Sequence, residues 1–230
     1  MESLLPNFRG FIAVIAVTVL LSSPSIQQAS VLAFTVPGLG SPLIELPADG
    51  ARYRIDAAQS RFIVRAFAGG FLSAFAHDHT IAIRDFGGEA QFTYGTVEPA
   101  SLQLTIKAGS LAVTDKVSAS DRQKIETTMR DEVLELSKYP EIVFKSTGIN
   151  ATKTGEGQYQ ARISGELTLH GVTRPLTISA GLEFGDKTLR AKGTFALKQT
   201  SFNIQPVSIA GGTIKIKDEL KFTFDIAAHP

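Results

Sequence analysis

Residues 159–169 read Tyr159-Gln-Ala-Arg-Ile-Ser-Gly-Glu-Leu-Thr-Leu169, and nearly every second side chain in this stretch is apolar. Such alternation is typical of a β-strand with one face toward water and the other toward a core, because successive side chains point to opposite faces of a sheet. The same alternation recurs at Leu176–Phe184, Leu189–Leu197 and Leu220–Ile226. Strands of a parallel sheet, buried on both faces, would instead be apolar throughout. The pattern therefore predicts an antiparallel sheet with one apolar face.

Weaker alternation is found in five shorter stretches, at Arg61–Phe67, Ile81–Ile83, Ala90–Tyr94, Leu102–Ile106 and Ile142–Thr147. Each is bounded by Gly, Pro, Asn or Asp, which favour turns. Because most connections are short, consecutive strands are expected to pair as antiparallel hairpins. We predict an all-β fold, an antiparallel up-and-down barrel of eight strands, since closure removes exposed edges. A sandwich of two sheets is the alternative.

One segment, Ser120–Leu136, breaks the alternation and carries apolar residues at helical spacing. These residues are Ile125, Met129, Val133 and Leu136. Ser120 followed by Gln123 satisfies the capping-box pattern, and Pro140 lies just beyond the segment, where it would end a helix. We predict one short amphipathic helix that packs on the wall or on the open end of the sheet.

The first 50 residues differ from the rest of the chain. The apolar run Phe11–Leu21 is too short to span a bilayer but is typical of a secretory signal. We predict a signal peptide over residues 1–33, with an uncleaved anchor as the alternative. Residues 34–50 are rich in Pro and Gly, which predicts a linker, and residues 51–228 are predicted to form the barrel domain. After signal cleavage, no stable membrane span is expected.

Charge and cysteine content narrow the range of partners. The chain has 23 Lys and Arg against 22 Asp and Glu, and so little net charge gives little attraction for phosphate backbones. Nucleic acid is therefore not an expected partner. The chain has no Cys, which excludes disulfides, Cys-ligated metal sites and thiol catalysis. An exported protein without disulfides is typical of the bacterial periplasm.

The pair of histidines in His77-Asp78-His79 is the sharpest local feature. In an extended stretch both imidazoles would lie on the apolar face and Asp78 on the opposite face. Three interpretations stay open. The imidazoles could bind a metal together with His170, donate hydrogen bonds to the polar head of an apolar ligand, or bond to the backbone in a turn. The sequence has no nucleophile elbow, phosphate-binding loop or His-Glu-x-x-His motif, so no catalytic residue and no cofactor is expected.

Three strings resemble the YceI family of bacterial exported proteins: Tyr139–Thr147, Gly165–Leu176 and Gly211–Phe222. The middle string, with its Leu-His-Gly-Val-Thr-Arg-Pro segment, is the most specific, and the resemblance extends from about Tyr53 to Ile226. The chain departs from the family pattern Arg-Ser-x-Phe-Gly at Gln199–Asn203. The resemblance implies a lipocalin-like barrel, usually periplasmic, that encloses a long apolar chain such as a polyisoprenoid or a fatty-acid derivative.

Together, the resemblance and the apolar strand faces predict a binding protein for a lipid-like ligand, and not an enzyme. Phe71 and Phe75 lie in an apolar stretch next to Gly69 and Gly70 that could form a portal loop, with ordinary core packing as the alternative. The candidate ligand-binding residues are Phe71, Phe75, His77, His79, Ile81, Ile83, Leu104, Met129, Phe144, Leu167, Leu169, Ile178, Phe195 and Phe224. The alternatives are a histidine-based metal-binding protein and a stress-related interaction module with a solid barrel core. The oligomeric state stays open, with a dimer as one option.

Overall fold

A computed structural model describes residues 51–70, 77–92, 100–185 and 187–230. The predicted signal peptide and linker lie outside the described residues, and so do Phe71 and Phe75. The elements are β1 (Ala51–Gly69), β2 (His79–Ile83), β3 (Phe86–Phe92), β4 (Ala100–Lys107), β5 (Leu111–Val113), α1 (Ala119–Thr128), β6 (Glu141–Gly155), β7 (Gln158–Leu169), β8 (Val172–Phe184), β9 (Leu189–Lys198), β10 (Ser208–Ile209) and β11 (Ile214–His229). Within these ranges, no helix is long and apolar enough to cross a membrane.

Eight of the strands close into an antiparallel barrel. Their order around the ring is β1, β3, β4, β6, β7, β8, β9 and β11, and β11 pairs with β1 to complete it. Ring order and chain order agree, so the barrel is of the predicted up-and-down type and the alternative of a sandwich is wrong. The three shorter strands extend the wall: β2 pairs with the second half of β1, β5 pairs with β2, and β10 pairs with β11.

One end of the barrel, the narrow end, is filled by aromatic rings. The buried rings of Tyr53 and Phe92 stack with centroids 5.2 Å apart. Phe184 meets Phe92 at 4.8 Å and Tyr159 at 5.4 Å, both edge to face. Buried Leu189 and Ala228 pack against this group. The opposite end, where β2 and β11 begin, β9 ends and α1 lies, is called the mouth.

The helix begins earlier than predicted. Ser118, not Ser120, is the N-cap: its Oγ accepts a hydrogen bond from the backbone N–H of Asp121 at 3.0 Å and donates one to the Asp121 carboxylate at 2.7 Å. The predicted capping box of Ser120 and Gln123 is therefore wrong. Two serines compete for the cap, and a start at Ser118 places the Asp121 carboxylate in the first turn, near the positive end of the helix dipole.

The helical segment also changes its winding. After Thr128 the chain continues as a turn of π-helix over Met129–Val133. Met129 and Val133 of this turn and the following residue, Leu134, line the interior of the barrel. The segment therefore covers part of the mouth. Of the predicted stripe, Ile125, Met129 and Val133 line the cavity and Leu136 does not, and the polar residues Lys124 and Thr128 line it as well.

Candidate functional site

The barrel encloses a cavity of about 760 Å³, which lies within the usual range for small-molecule sites. Inward-facing residues of all eight barrel strands line it, together with α1 and the π-helical turn. All but six of the described lining residues are apolar. The interior is therefore hollow, which counts against the alternative of a module with a solid core.

Two glycines set the position of phenyl rings in the cavity wall. A Cβ atom on Gly165 would lie 2.5 Å from the ring of Phe144, and one on Gly193 would lie 2.6 Å from the ring of Phe224. Each ring thus rests directly on the backbone of the neighbouring strand. Part of each ring occupies space that a side chain would otherwise fill, which leaves more of the barrel interior open.

The polar lining residues all belong to segments at the mouth. His79 is the first residue of β2, and His77 stands two residues before it. Lys124 and Thr128 lie on α1, Gln199 follows β9, and Lys215 is the second residue of β11. The six are His77, His79, Lys124, Thr128, Gln199 and Lys215. The cavity is therefore apolar along its depth and polar at one end.

All twelve candidate ligand-binding residues within the described ranges line this cavity: His77, His79, Ile81, Ile83, Leu104, Met129, Phe144, Leu167, Leu169, Ile178, Phe195 and Phe224. Their contact with a ligand stays a prediction, and so do the roles of Phe71 and Phe75. Of the polar lining residues, sequence reasoning missed Lys124, Thr128, Gln199 and Lys215. Of these, Gln199 had a signal, because it continues the inward parity of Phe195 and Leu197 in β9.

His79 is fixed in place by a carboxylate. Its Nδ1 lies 3.0 Å from Oδ2 of Asp115, and both side chains are largely buried. Asp115 also accepts a hydrogen bond from the backbone N–H of Thr80 at 2.9 Å. Since Nδ1 faces Asp115, Nε2 is the ring nitrogen left for a ligand. His77, by contrast, is exposed and precedes the first residue of β2.

His170 lies apart from the other two histidines and does not line the cavity. It forms a two-residue turn with Gly171, in which both residues have positive φ, 51° and 72°. Its Nε2 lies 2.9 Å from Oε2 of Glu135, and its ring packs on Tyr139 with centroids 4.4 Å apart. No group of three potential metal ligands is found in the described part of the chain. The structure therefore does not support the alternative of a metal site at His77, His79 and His170.

Gln199 reaches the mouth from a short 3₁₀ turn, Gln199–Phe202. Its side chain is buried and donates a hydrogen bond from Nε2 to the backbone oxygen of Lys217 at 3.0 Å. Asn203 ends the turn with a φ of 56°, a left-handed conformation that Asn tolerates better than most residues. This explains how Asn can replace the Gly of the family pattern at this position.

Asp218 anchors the same turn. Its carboxylate accepts hydrogen bonds from the backbone N–H and from the hydroxyl of Thr200, both at 2.8 Å. The backbone hydrogen bond from Thr200 is the main reason why the pKa of Asp218 lies below its ordinary value.

We expect Asp218→Asn to reduce the stability of the protein more at pH 7 than at pH 3. A carboxyl whose pKa is lower in the folded state stabilises the fold above its unfolded pKa, about 3.9, and this contribution is lost as the pH falls through the folded value. Urea unfolding of both proteins at the two pH values measures the difference. Asp131→Asn, which alters an exposed carboxylate, serves as the control. An equal loss for Asp218→Asn at both pH values would contradict this prediction.

Comparisons with known proteins agree with this architecture. The family described as YceI-like domain matches residues 53–228. A UPF0312 protein of Pseudomonas putida (strain W619) is 28% identical over 148 residues, which cover 64% of this chain and 70% of that protein. A UPF0312 protein of Ectopseudomonas mendocina is 29% identical over 173 residues, which cover 72% of this chain and 83% of that protein.

Two solved structures share the fold. BcnA of Burkholderia cenocepacia superimposes with a TM-score of 0.57 at 20% identity, covering 75% of this chain and 98% of BcnA. A polyisoprenoid binding domain from Saccharophagus degradans, implicated in plant cell wall breakdown, gives a TM-score of 0.54 at 13% identity and covers 77% of this chain and 97% of that domain. At these identities the similarity concerns the fold alone.

Proposed function

The chain belongs to the family of YceI-like domains, and from this premise we propose that it binds a long apolar ligand inside its barrel. One observation carries the proposal: a closed barrel surrounds an apolar cavity of about 760 Å³ whose polar residues are confined to the mouth. A ligand with an apolar tail and one polar end matches that distribution. The tail would lie along the barrel toward the aromatic rings of the narrow end.

The size of the cavity indicates how long the ligand is. A cavity of about 760 Å³ lies in the upper part of the range of about 300–1,000 Å³ for small-molecule sites, so it has room for a long chain. Burial of such a chain is favourable by about 25 cal/mol per Å² of apolar surface, so binding needs no charged anchor for the tail. Fatty acids and polyisoprenoids, or derivatives of either, are the chemical classes that fit.

The ligand's polar end would meet the residues of the mouth. His79, whose Nδ1 faces Asp115, has its Nε2 left to bond a head group, and His77 stands two residues before it at the same end. Gln199 adds a buried amide at the rim. These three side chains are the hydrogen-bonding groups that we expect a head group to meet.

We further propose that the protein acts in the bacterial periplasm, as a carrier or scavenger of its ligand, and that it acts by binding and not by catalysis. The signal-like features of residues 1–33 and the absence of Cys support export to that compartment. The apolar character of the cavity supports binding of an intact lipid, since a lining with few polar groups offers little to stabilise charge in a reaction.

Native mass spectrometry of the protein purified from a bacterial host tests this function. We expect an adduct of several hundred daltons that is lost on denaturation and that can be extracted into organic solvent. Cell fractionation of the same host tests the proposed location. A protein without such an adduct that also fails to bind oleic acid, oleyl alcohol and geranylgeraniol after solvent extraction would contradict the proposal.

A further inference from the structure

We propose that the ligand's head group is an anion, a carboxylate or a phosphate, and that Lys124 and Lys215 bind it at the mouth. This inference rests on the proposed binding of an apolar chain, and adds to it the charge of the polar end. Two observations support the negative charge of the head group. One is the identity of the charged residues that line the cavity, and the other is the pairing of the charged groups nearby.

Both charged residues that line the cavity are lysines. Lys124 lies on α1 and Lys215 is the second residue of β11, so the two approach the mouth from different elements. Among the described lining residues there is no Asp and no Glu. In a site that is otherwise apolar, two cations without a carboxylate in the lining favour a ligand that carries negative charge.

Two carboxylates that stand near the mouth are held by other partners. Asp78 accepts a hydrogen bond from the backbone N–H of Ala68 at 3.0 Å and pairs with Arg65 at 3.7 Å. Asp115 pairs with His79 and accepts from the backbone N–H of Thr80. Neither carboxylate lines the cavity. The charge of Asp78 is therefore partly neutralised by Arg65, and Asp115 is held by its hydrogen bonds to His79 and Thr80, outside the lining of the cavity.

The two lysines themselves are weakly paired. Nζ of Lys124 lies 4.0 Å from Oδ1 of Asp121, at the outer limit of an ion pair, and Asp121 is also bonded to the hydroxyl of Ser118. Lys215 is exposed and forms no ion pair with any residue that the structure describes. Both ammonium groups are therefore available to a ligand.

Lysine suits this position because its stem is apolar and its ammonium is charged. The four-carbon stem can lie along apolar surface while the charged end stays in water. A ligand whose tail fills the barrel would bring its head group to the mouth. The flexible stem of Lys124 on α1, and that of Lys215, whose position in β11 faces outward, would let each ammonium reach the head group there. Charge-assisted hydrogen bonds to a carboxylate or phosphate are about twice as strong as neutral ones. An alcohol of the same chain length could accept a hydrogen bond from an ammonium but would lack the attraction between opposite charges.

Two matched pairs of ligands test the charge of the head group. Oleic acid is compared with oleyl alcohol, and geranylgeranyl phosphate with geranylgeraniol, each by displacement of the neutral fluorophore Nile red from the solvent-extracted protein. We expect the anion of at least one pair to bind about tenfold more tightly than its alcohol, a ratio that corresponds to about 1.4 kcal/mol. The pair with the larger ratio distinguishes a carboxylate from a phosphate as the preferred head group.

Substitution of the lysines tests where the anion binds. In the double variant Lys124→Met, Lys215→Met we expect the preference for the anion to disappear while the affinity for the alcohol stays unchanged. Lys153→Met, at an exposed lysine of β6 far along the strand from the mouth, makes the same kind of charge change and should leave the preference intact. Thermal unfolding of each variant establishes that the barrel is folded.

The outcomes separate this inference from the function on which it rests. Equal affinities for acid and alcohol in the unsubstituted protein would overturn the anionic head group and leave the binding of apolar chains intact. A preference that survives in the double variant would overturn the assignment to Lys124 and Lys215. Failure of all four ligands to displace Nile red would instead contradict the proposed function.

Discussion

Replacing Ala191 by Trp should weaken the binding of a long-chain ligand by roughly a thousandfold and leave the barrel folded. Ala191 lines the cavity in β9, two residues from Leu189 at the narrow end. A Trp side chain buries about 150–250 Å², and the tail of the ligand would lose a similar area of contact. At about 25 cal/mol per Å² the loss is about 4 kcal/mol, or roughly a thousandfold in Kd.

Ala196→Trp is the matched control, because Ala196 lies on the same strand but is exposed. Nile red displacement by oleic acid and by decanoic acid measures the effect in both variants. The shorter acid does not need the deepest part of the cavity, so Ala191→Trp should affect it much less. Since the new side chain enters open space and not a packed core, thermal unfolding should show little loss of stability. Unchanged binding of oleic acid to Ala191→Trp would place the ligand outside the barrel.

The inner surface of the barrel could be predicted from the sequence because strand periodicity is strict. Successive side chains of a strand alternate between its two faces, so a stretch such as Tyr159–Leu169 identifies its own inward residues without knowledge of its neighbours. Ile163, Leu167 and Leu169 all line the cavity. The same rule fails where regular structure ends. Lys215 has the outward parity of its strand, and it lines the cavity because it stands at the mouth.

Whether the barrel is hollow could not be read from alternation. A solid core and an open cavity place the same residues on the same faces, and they differ only in how far the strands stand apart and which side chains fill the centre. Gly165 and Gly193 illustrate this: as isolated glycines in strands they signal a close approach, but not that phenyl rings rest on them. The π-helical turn at Met129–Val133 could not be predicted, because such a turn has no distinctive local sequence.

The cluster of aromatic rings at the narrow end could not be predicted from the sequence, for a related reason. Tyr53, Phe92 and Phe184 stand in three strands that are far apart along the chain, and each is an ordinary apolar residue of its own strand. Only closure of the barrel brings their rings together with centroids about 5 Å apart. The sequence therefore predicted the strands that hold Phe92 and Phe184, whereas Tyr53 lay outside every predicted strand. The packing of the three rings into one cluster at the narrow end depends on long-range strand pairing.

The aromatic cluster at the narrow end should contribute strongly to stability, and we expect Phe92→Ala to lower the free energy of unfolding by about 3–5 kcal/mol, as is typical when a buried Phe is truncated. Phe92 is buried and its ring contacts those of Tyr53 and Phe184. Urea unfolding of the solvent-extracted protein measures the loss. Phe224→Ala is the matched comparison, because Phe224 is only half-buried and lines the open cavity.

The two substitutions remove the same atoms from different surroundings. Phe224 already lacks packing partners on the side that faces the cavity, so its truncation should cost about half as much as that of Phe92. Addition of oleic acid should narrow the gap between the two costs: a ligand stabilises the folded state by mass action, and less so where its contacts have been removed. Phe224→Ala would then lose part of the stabilisation by oleic acid that Phe92→Ala retains. Equal costs for both substitutions without ligand would mean that the interior around Phe224 is packed as tightly as the narrow end.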